Sequence, residues 1–436
     1  MKQPQVGFRS RWCTFHFKIR AHSARYGALH QKLFFNRAPR VAVAMVWPAA
    51  PLLAGIAAGG GLLAALAALI IKPRETVPLI NLAAVDIAAL RAAASGPGVF
   101  RIANHGVDND LVLNASRQFF FLPEEIKRTA RSASGAVGGF QRGYIPLGGE
   151  SGLKEFIEVK EGFCYGKEPD EERGAASSAP FSYNNSGLDL LISPNAWPDD
   201  HYTYLGSEWV PTMLGFVDDC ITMTNDLLVH LSTAMGREKT FLSSIASGGE
   251  DISLMRLFHY FPNDTRADLS PGVPRTGSSP HTDWHLLTII LQDLTGGLQV
   301  RSTKPPFHWI DVPANPGELI ILVGDFLHAL SDGRFYSPIH RVNLPPSGEE
   351  RFSFTYFRYP HYDALVPMDA AKKAAKKARR DAERRRRAMG EGKSEAFNTL
   401  VRAMEGPGVE RLATRSFGDF LLEKWNVVAS NKVDSS

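Results

Sequence analysis

Cysteine is nearly missing from this chain: three in 436 residues, at positions 13, 164 and 220, with no Cys-x-x-Cys pair. That excludes a disulfide framework and a thiolate zinc site. Internal repeats are also absent, and so is a phosphate-binding loop. The GGESG stretch at 148–152 has glycines but neither a Walker lysine nor a strand-loop-helix setting. Acidic residues are missing from the first 74 positions, which hold 11 Lys and Arg; the first carboxylate is Glu75. The net charge of +4 therefore misleads, because the remainder carries 38 basic against 45 acidic residues. An acidic body with detachable basic segments lacks the even basic face of a nucleic-acid-binding domain, so no nucleic-acid partner is expected.

What is present is globular in character, with 44% apolar and 22% charged residues. Residues 1–44 are basic, acid-free and rich in Arg, Ser and His, like an organelle presequence. Residues 45–71 are uncharged throughout, and about 20 apolar residues suffice to span a bilayer. The expectation is a basic targeting-like segment (1–44) followed by a hydrophobic segment (45–74) that acts as a single-pass membrane anchor, with the catalytic body on one side. The alternative is an organelle-targeted soluble protein left after cleavage of the N-terminal segment. An N-terminal α/β region (75–236) follows, with amphipathic helix across 208–236. From LMRLFHYFP (254–262) the texture changes to short strands separated by turn signals, spaced as in a barrel or double-sheet jelly roll. This predicts a jelly-roll catalytic domain over 250–369, then a basic insert (370–393), solvated helix or disordered, and a C-terminal helical region (394–436). KKAAKKARRDAERRRR at 372–387 carries 10 basic and 2 acidic residues.

The chemistry concentrates in SPHTDWHLL (279–287). Residues two apart on a strand share a face, roughly 6.5 Å apart, so His281 and Asp283 can close on one cation. His285 lies roughly 13 Å from His281 along the same strand, too far to join an ion bound at about 2 Å. A third ligand must come from elsewhere, and SDGRFYSPIHRVNLP (331–345) offers His340 before a Val-containing strand. Two histidines and one carboxylate on one side of an ion, the rest open, make the facial triad of non-haem Fe(II) oxygenases. Beyond His340, RFSF (351–354) places Arg351 and Ser353 on one face of an apolar strand. An arginine there is costly unless an anion meets it. Its planar fork suits a carboxylate, with the serine hydroxyl adding a third hydrogen bond.

In these motifs the chain resembles the 2-oxoglutarate/Fe(II) dioxygenase superfamily, in its isopenicillin-N-synthase-like branch. The match runs from about Val77 to Val427, and VPLIN, RIANHGV, FFFLPEEIK, RGYIPLGGE, KEGF, LTIILQD, GGLQV and GDFL agree with it. The resemblance implies a mostly β protein with flanking helices around a double-stranded β-helix (jelly-roll) core. It implies Fe2+ held by His281, Asp283 and His340, and 2-oxoglutarate held by Arg351, Ser353 and Tyr260. O2 would be co-substrate and ascorbate a reductant. A small-molecule substrate would meet Phe357 and Tyr359, with Tyr144 and His285 as further candidates. The implied reaction is hydroxylation or desaturation of a small organic metabolite with release of succinate and CO2, by a monomeric catalytic domain. The chain departs from the family at three places: His285 stands where glycine is usual, and Phe258 and Leu322 stand where asparagine is frequent. Two rival readings stay open at this point. One is an Fe(II) oxidase of the same fold that does not use 2-oxoglutarate. The other is a membrane-tethered, non-catalytic binding protein.

Overall fold

Two β-sheets of unequal size frame the described part of the chain. In this computed structural model residues 75–131, 142–149, 156–169, 191–249, 252–265, 272–389 and 409–429 are described, all within the compact unit Pro73–Ser436. The strands are β1 (Leu79–Asn81), β2 (Val99–Ala103), β3 (Gly143–Ile145), β4 (Ile157–Glu158), β5 (Lys160–Tyr165), β6 (Ser253–Tyr260) and β7 (Arg275–Thr276). They continue with β8 (Ser278–His281), β9 (Leu287–Gln292), β10 (Leu298–Arg301), β11 (Trp309–Asp311), β12 (Leu319–Val323), β13 (His340–Val342) and β14 (Arg351–Arg358). The larger sheet has eight strands in the order β1-β2-β12-β9-β14-β6-β5-β3, and the smaller has four, β11-β10-β13-β8. A short β4-β7 pair lies beside them. This is the expected jelly roll in its open, double-sheet form; the sheets do not close on each other.

Strand alternation sorts the residues into two cores. On β14, Phe352, Phe354 and Tyr356 join the core packed against the helices, while Arg351, Ser353 and Thr355 point the other way. The second core is smaller and more aliphatic, with Phe258, Tyr260 and Ile290 from the large sheet meeting Leu298, Val300 and Val342 from the small one. The long helix Trp209–Met235 backs the large sheet. It buries Met213, Phe216, Val217, Cys220, Met223, Leu227, Leu228 and Leu231, the spacing of a single helical face. It ends where Gly236 adopts φ 73°, a left-handed cap that costs a glycine little.

One expectation changes and another gains detail. The single-pass membrane anchor is not upheld, because among the described residues no helix is long and apolar enough to cross a membrane. Trp209–Met235 turns its polar side to solvent, and the other long helix is strongly basic. The apolar segment 45–71 and the presequence-like segment 1–44, on which the anchor and targeting expectations rested, lie outside the described residues. Of the two states expected for the basic insert, solvated helix or disorder, its described part is a helix, though one with a buried face. It forms the helix Met368–Met389, whose Ala370, Ala371, Ala374, Ala375 and Ala382 are buried against Asp325–Leu330 and the turn Val409–Ala413. Alanines three and four apart make a narrow face that packs closely; most of the lysines and arginines stay outside, while Arg385 is itself buried beside Tyr336. The sequence displays the charge and hides how little apolar surface such a contact needs.

Candidate metal centre and its cavity

β8 ends on His281, β13 begins on His340, and these two residues are paired across the antiparallel ladder. Their rings lie 4.2 Å apart, centre to centre. The register shifts immediately after His340, the kind of irregularity that recurs where strands re-aim side chains at a site. Asp283 enters from the segment after β8. Its Oδ1 is 3.6 Å from His281 Nε2 and its Oδ2 is 3.6 Å from His340 Nε2. One ligand atom from each of the three residues falls within 4.8 Å of the others, the one such group among the described residues.

The orientation of each donor has a local cause. His281 Nδ1 lies 2.7 Å from the Ser279 carbonyl and His340 Nδ1 lies 3.2 Å from the Pro338 carbonyl. Donating there leaves each Nε2 with its lone pair facing the carboxylate, the arrangement that metal-binding imidazoles adopt. Thr288 Oγ1 donates to Asp283 Oδ2. The backbone of the segment is held too: Gly324 N–H donates to Leu286 O at 3.0 Å and Asp325 N–H to Asp283 O at 2.8 Å. That docking requires glycine, because a Cβ at Gly324 would sit 1.9 Å from the His285 carbonyl oxygen.

Burial raises the Asp283 carboxyl, but His340, His285 and His281 outweigh it and hold the group below its ordinary value. Burial pushes His340 down to about 4, against the pull of Asp283. Two unprotonated nitrogens and one carboxylate suit a divalent cation of the iron and zinc series, and leave the site with net positive charge once it binds. Valine at 288 preserves the shape and removes the hydroxyl, so Thr288→Val is expected to weaken Fe(II) binding by about tenfold or more. Titration against a competing chelator reads this directly; an unchanged affinity would show that the hydroxyl does not position the carboxylate.

A cavity of about 180 Å³ opens beside the triple. Of the residues singled out in the sequence, Tyr260, Phe357, Tyr359 and His285 line it. Tyr144 does not: its hydroxyl donates to Glu161 and lies 2.9 Å from Glu124, in a network with Lys127. The β3-β5 register explains this, since Tyr144 pairs with Phe163 among residues packed toward the helices.

Arg351 and Ser353 are likewise not among the lining residues. Arg351, 1% exposed, lies with its guanidinium 4.5 Å from the centre of the Tyr260 ring. It donates to Gly296 O, to Ser353 Oγ at 3.1 Å and to Gln292 Oε1 at 3.1 Å. Every one of those acceptors is neutral. Among the described residues no carboxylate pairs with this buried cation.

Residue-by-residue reading of the sequence missed a buried pair on the cavity wall. Glu158 lies 2.7 Å from Lys160 Nζ and accepts from Ser279 N–H at 2.8 Å and Ser279 Oγ at 2.6 Å. Ser279 is the residue whose carbonyl orients His281. The signal was Glu158 and Lys160 two apart in FIEVKEGF, where apolar residues flank three charges. Burial alone would raise Glu158, but Lys160 and Ser279 hold it down at about 2 against an ordinary 4.5. A lowered acid contributes stability that is fully present above about pH 4.5 and lost as the pH falls toward 2, on the order of 3 kcal/mol. Urea unfolding between pH 5 and 2.5 should therefore show a steeper loss for the wild type than for Glu158→Gln. Parallel curves would remove the charge from this role.

Comparison with known proteins agrees with the geometry. Residues 252–360 match the family described as the 2OG-Fe(II) oxygenase superfamily, and residues 77–200 match the N-terminal region of the non-haem dioxygenases in morphine synthesis. A 2-oxoglutarate-Fe(II) type oxidoreductase of Emericella nidulans is 30% identical over 276 residues, covering 62% of this chain and 72% of that protein. A 1-aminocyclopropane-1-carboxylate oxidase of Dictyostelium discoideum is 28% identical over 297 residues, covering 62% and 76%. A full-length Neurospora crassa protein, solved in complex with alpha-KG, shares the fold with a TM-score of 0.52, 23% identity and coverage of 67% of this chain and 87% of that one.

Proposed function

The chain belongs to the 2OG-Fe(II) oxygenase superfamily, and on that premise we propose that His281, Asp283 and His340 hold its iron while Arg351, Ser353 and Tyr260 seat 2-oxoglutarate. The protein is an Fe(II)/2-oxoglutarate-dependent dioxygenase of a small organic metabolite. The observation that carries the residue assignment is the inward-facing triple, two Nε2 atoms each 3.6 Å from one carboxylate.

Bound Fe(II), with O2, supplies the oxidation of a substrate C–H bond coupled to oxidative decarboxylation of 2-oxoglutarate to succinate and CO2. The chain's own residues do the arranging. The Ser279 and Pro338 carbonyls hold the imidazoles in one tautomer, and Thr288 fixes one carboxylate oxygen. Arg351 offers a buried positive charge whose protein partners are all neutral. A carboxylate meeting it would replace weak acceptors by a charge-assisted pair, and Ser353 and Tyr260 stand on either side to add hydroxyl donors. The aromatic side chains around the cavity exclude water, which strengthens every polar contact inside.

The test is anaerobic addition of Fe(II) and then 2-oxoglutarate to the purified protein. A visible charge-transfer band, followed in air by slow formation of succinate, is the expected result. Bound iron without a band or succinate would point to the oxidase that dispenses with 2-oxoglutarate, and failure to bind iron would refute the catalytic reading.

A further inference from the structure

The cavity wall is divided by chemistry. Its aliphatic lining residues, Ile290, Leu298 and Val342, belong to the small core around Tyr260, at the end assigned above to 2-oxoglutarate. At the other end the apolar lining is aromatic throughout: Trp284, His285, Phe357, Tyr359 and Trp425. These rings form two groups. His285 packs 4.9 Å from Phe357 and 5.1 Å from Tyr359, the latter edge-to-face at 83°. Trp284 and Trp425 meet edge-to-face at 5.5 Å. Trp425 comes from the C-terminal helix Phe417–Ala429, so that helix supplies part of the wall. Arg256 lies against this ring and against Phe258, 5.3 and 4.9 Å from their centres, which spaces the tryptophan from the sheet.

We propose that the substrate oxidised here is a flat, conjugated ring compound, received between the His285–Phe357–Tyr359 group and the Trp284–Trp425 pair. This deepens the function proposed above and rests on it. Rings in edge-to-face or offset contact gain about 0.5–1.5 kcal/mol per pair beyond the area they bury, a gain that a saturated ring of the same size does not share. His285 is the specificity-determining position. Buried to 3%, it fills with an imidazole the place where the resembling family usually has glycine, and it makes one ring group out of three strand-end residues.

The test uses the full chain loaded anaerobically with Fe(II) and 2-oxoglutarate, titrated with matched pairs: thymine and dihydrothymine, benzoate and cyclohexanecarboxylate, cinnamate and 3-cyclohexylpropionate. Binding is read as perturbation of the charge-transfer band. The conjugated member should bind about tenfold more tightly than its saturated partner. His285→Gly, which restores the residue usual in the family, and Trp425→Leu should each reduce that preference to within about threefold while the unperturbed band persists. Equal or tighter binding of the saturated members, binding of neither, or a preference that survives both substitutions would overturn the proposal. Loss of the band itself in the wild type would defeat the dioxygenase assignment, and this inference with it.

Discussion

Asp283→Ala is expected to abolish iron binding and turnover together. The carboxylate is the sole negative charge of the triple, and both Nε2 atoms are 3.6 Å from it. Removing it leaves two neutral imidazoles on a divalent ion and no anion to offset its desolvation. Loss of an outer-shell partner costs roughly 10- to 100-fold in metal affinity, and loss of this ligand should exceed that range. Equilibrium dialysis with Fe(II), read beside succinate formation, separates the possibilities. Iron retained at wild-type affinity would refute the assignment of Asp283. The fold should survive, because the backbone of 283–286 is docked through main-chain bonds to Gly324, Asp325 and Phe326.

The second large effect is expected on 2-oxoglutarate and not on iron. In Arg351→Ala the triple is untouched, so Fe(II) should bind as before. The anchoring charge is gone, and a hydrogen bond to a charged group contributes about 1.5–3 kcal/mol. Two such bonds lost correspond to roughly 10²-fold or more in the concentration of 2-oxoglutarate that brings up the charge-transfer band. Gln292 and Ser353, which now accept from the guanidinium, would be left facing each other and soften the loss. Arg351→Lys should recover only part, since a point charge cannot reproduce the fork. A band that forms at the same concentration in all three proteins would place the anchor elsewhere.

The candidate ligand triple was legible because its logic is local. His281 and Asp283 are two apart on a strand, and His340 precedes another strand. What the sequence could not give is the pairing of His340 with His281, which depends on β13 lying beside β8 and not beside β12 or β14. The jelly roll was legible for a related reason, since turn signals mark off its short strands one by one. Tyr144, a substrate candidate in the sequence, is absent from the cavity wall because side-chain direction on an edge strand follows from its partner's register. The Glu158–Lys160 pair was overlooked because two opposite charges two residues apart read as a solvated face until the β4-β7 pairing covers Glu158 and the β5-β6 pairing covers Lys160. Trp425 carried no signal, because a tryptophan on a terminal amphipathic helix resembles any other core anchor. The motif GDFL reads in the sequence only as agreement with a family; its purpose, a glycine under the His285 carbonyl, is a matter of tertiary contact.

The place of Trp425 in the chain also dictates an order of construction. Synthesis runs from the N-terminus, so His281, Asp283 and His340 are complete before Arg351, and all of these long before the C-terminal helix that carries Trp425. A growing or clipped chain that ended before Phe417 would still contain every group assigned to iron and 2-oxoglutarate, yet would lack part of the wall that chooses the substrate. The same helix buries Phe417, Phe420 and Leu421 in the main core, so the last helix to be made completes both the core and that wall.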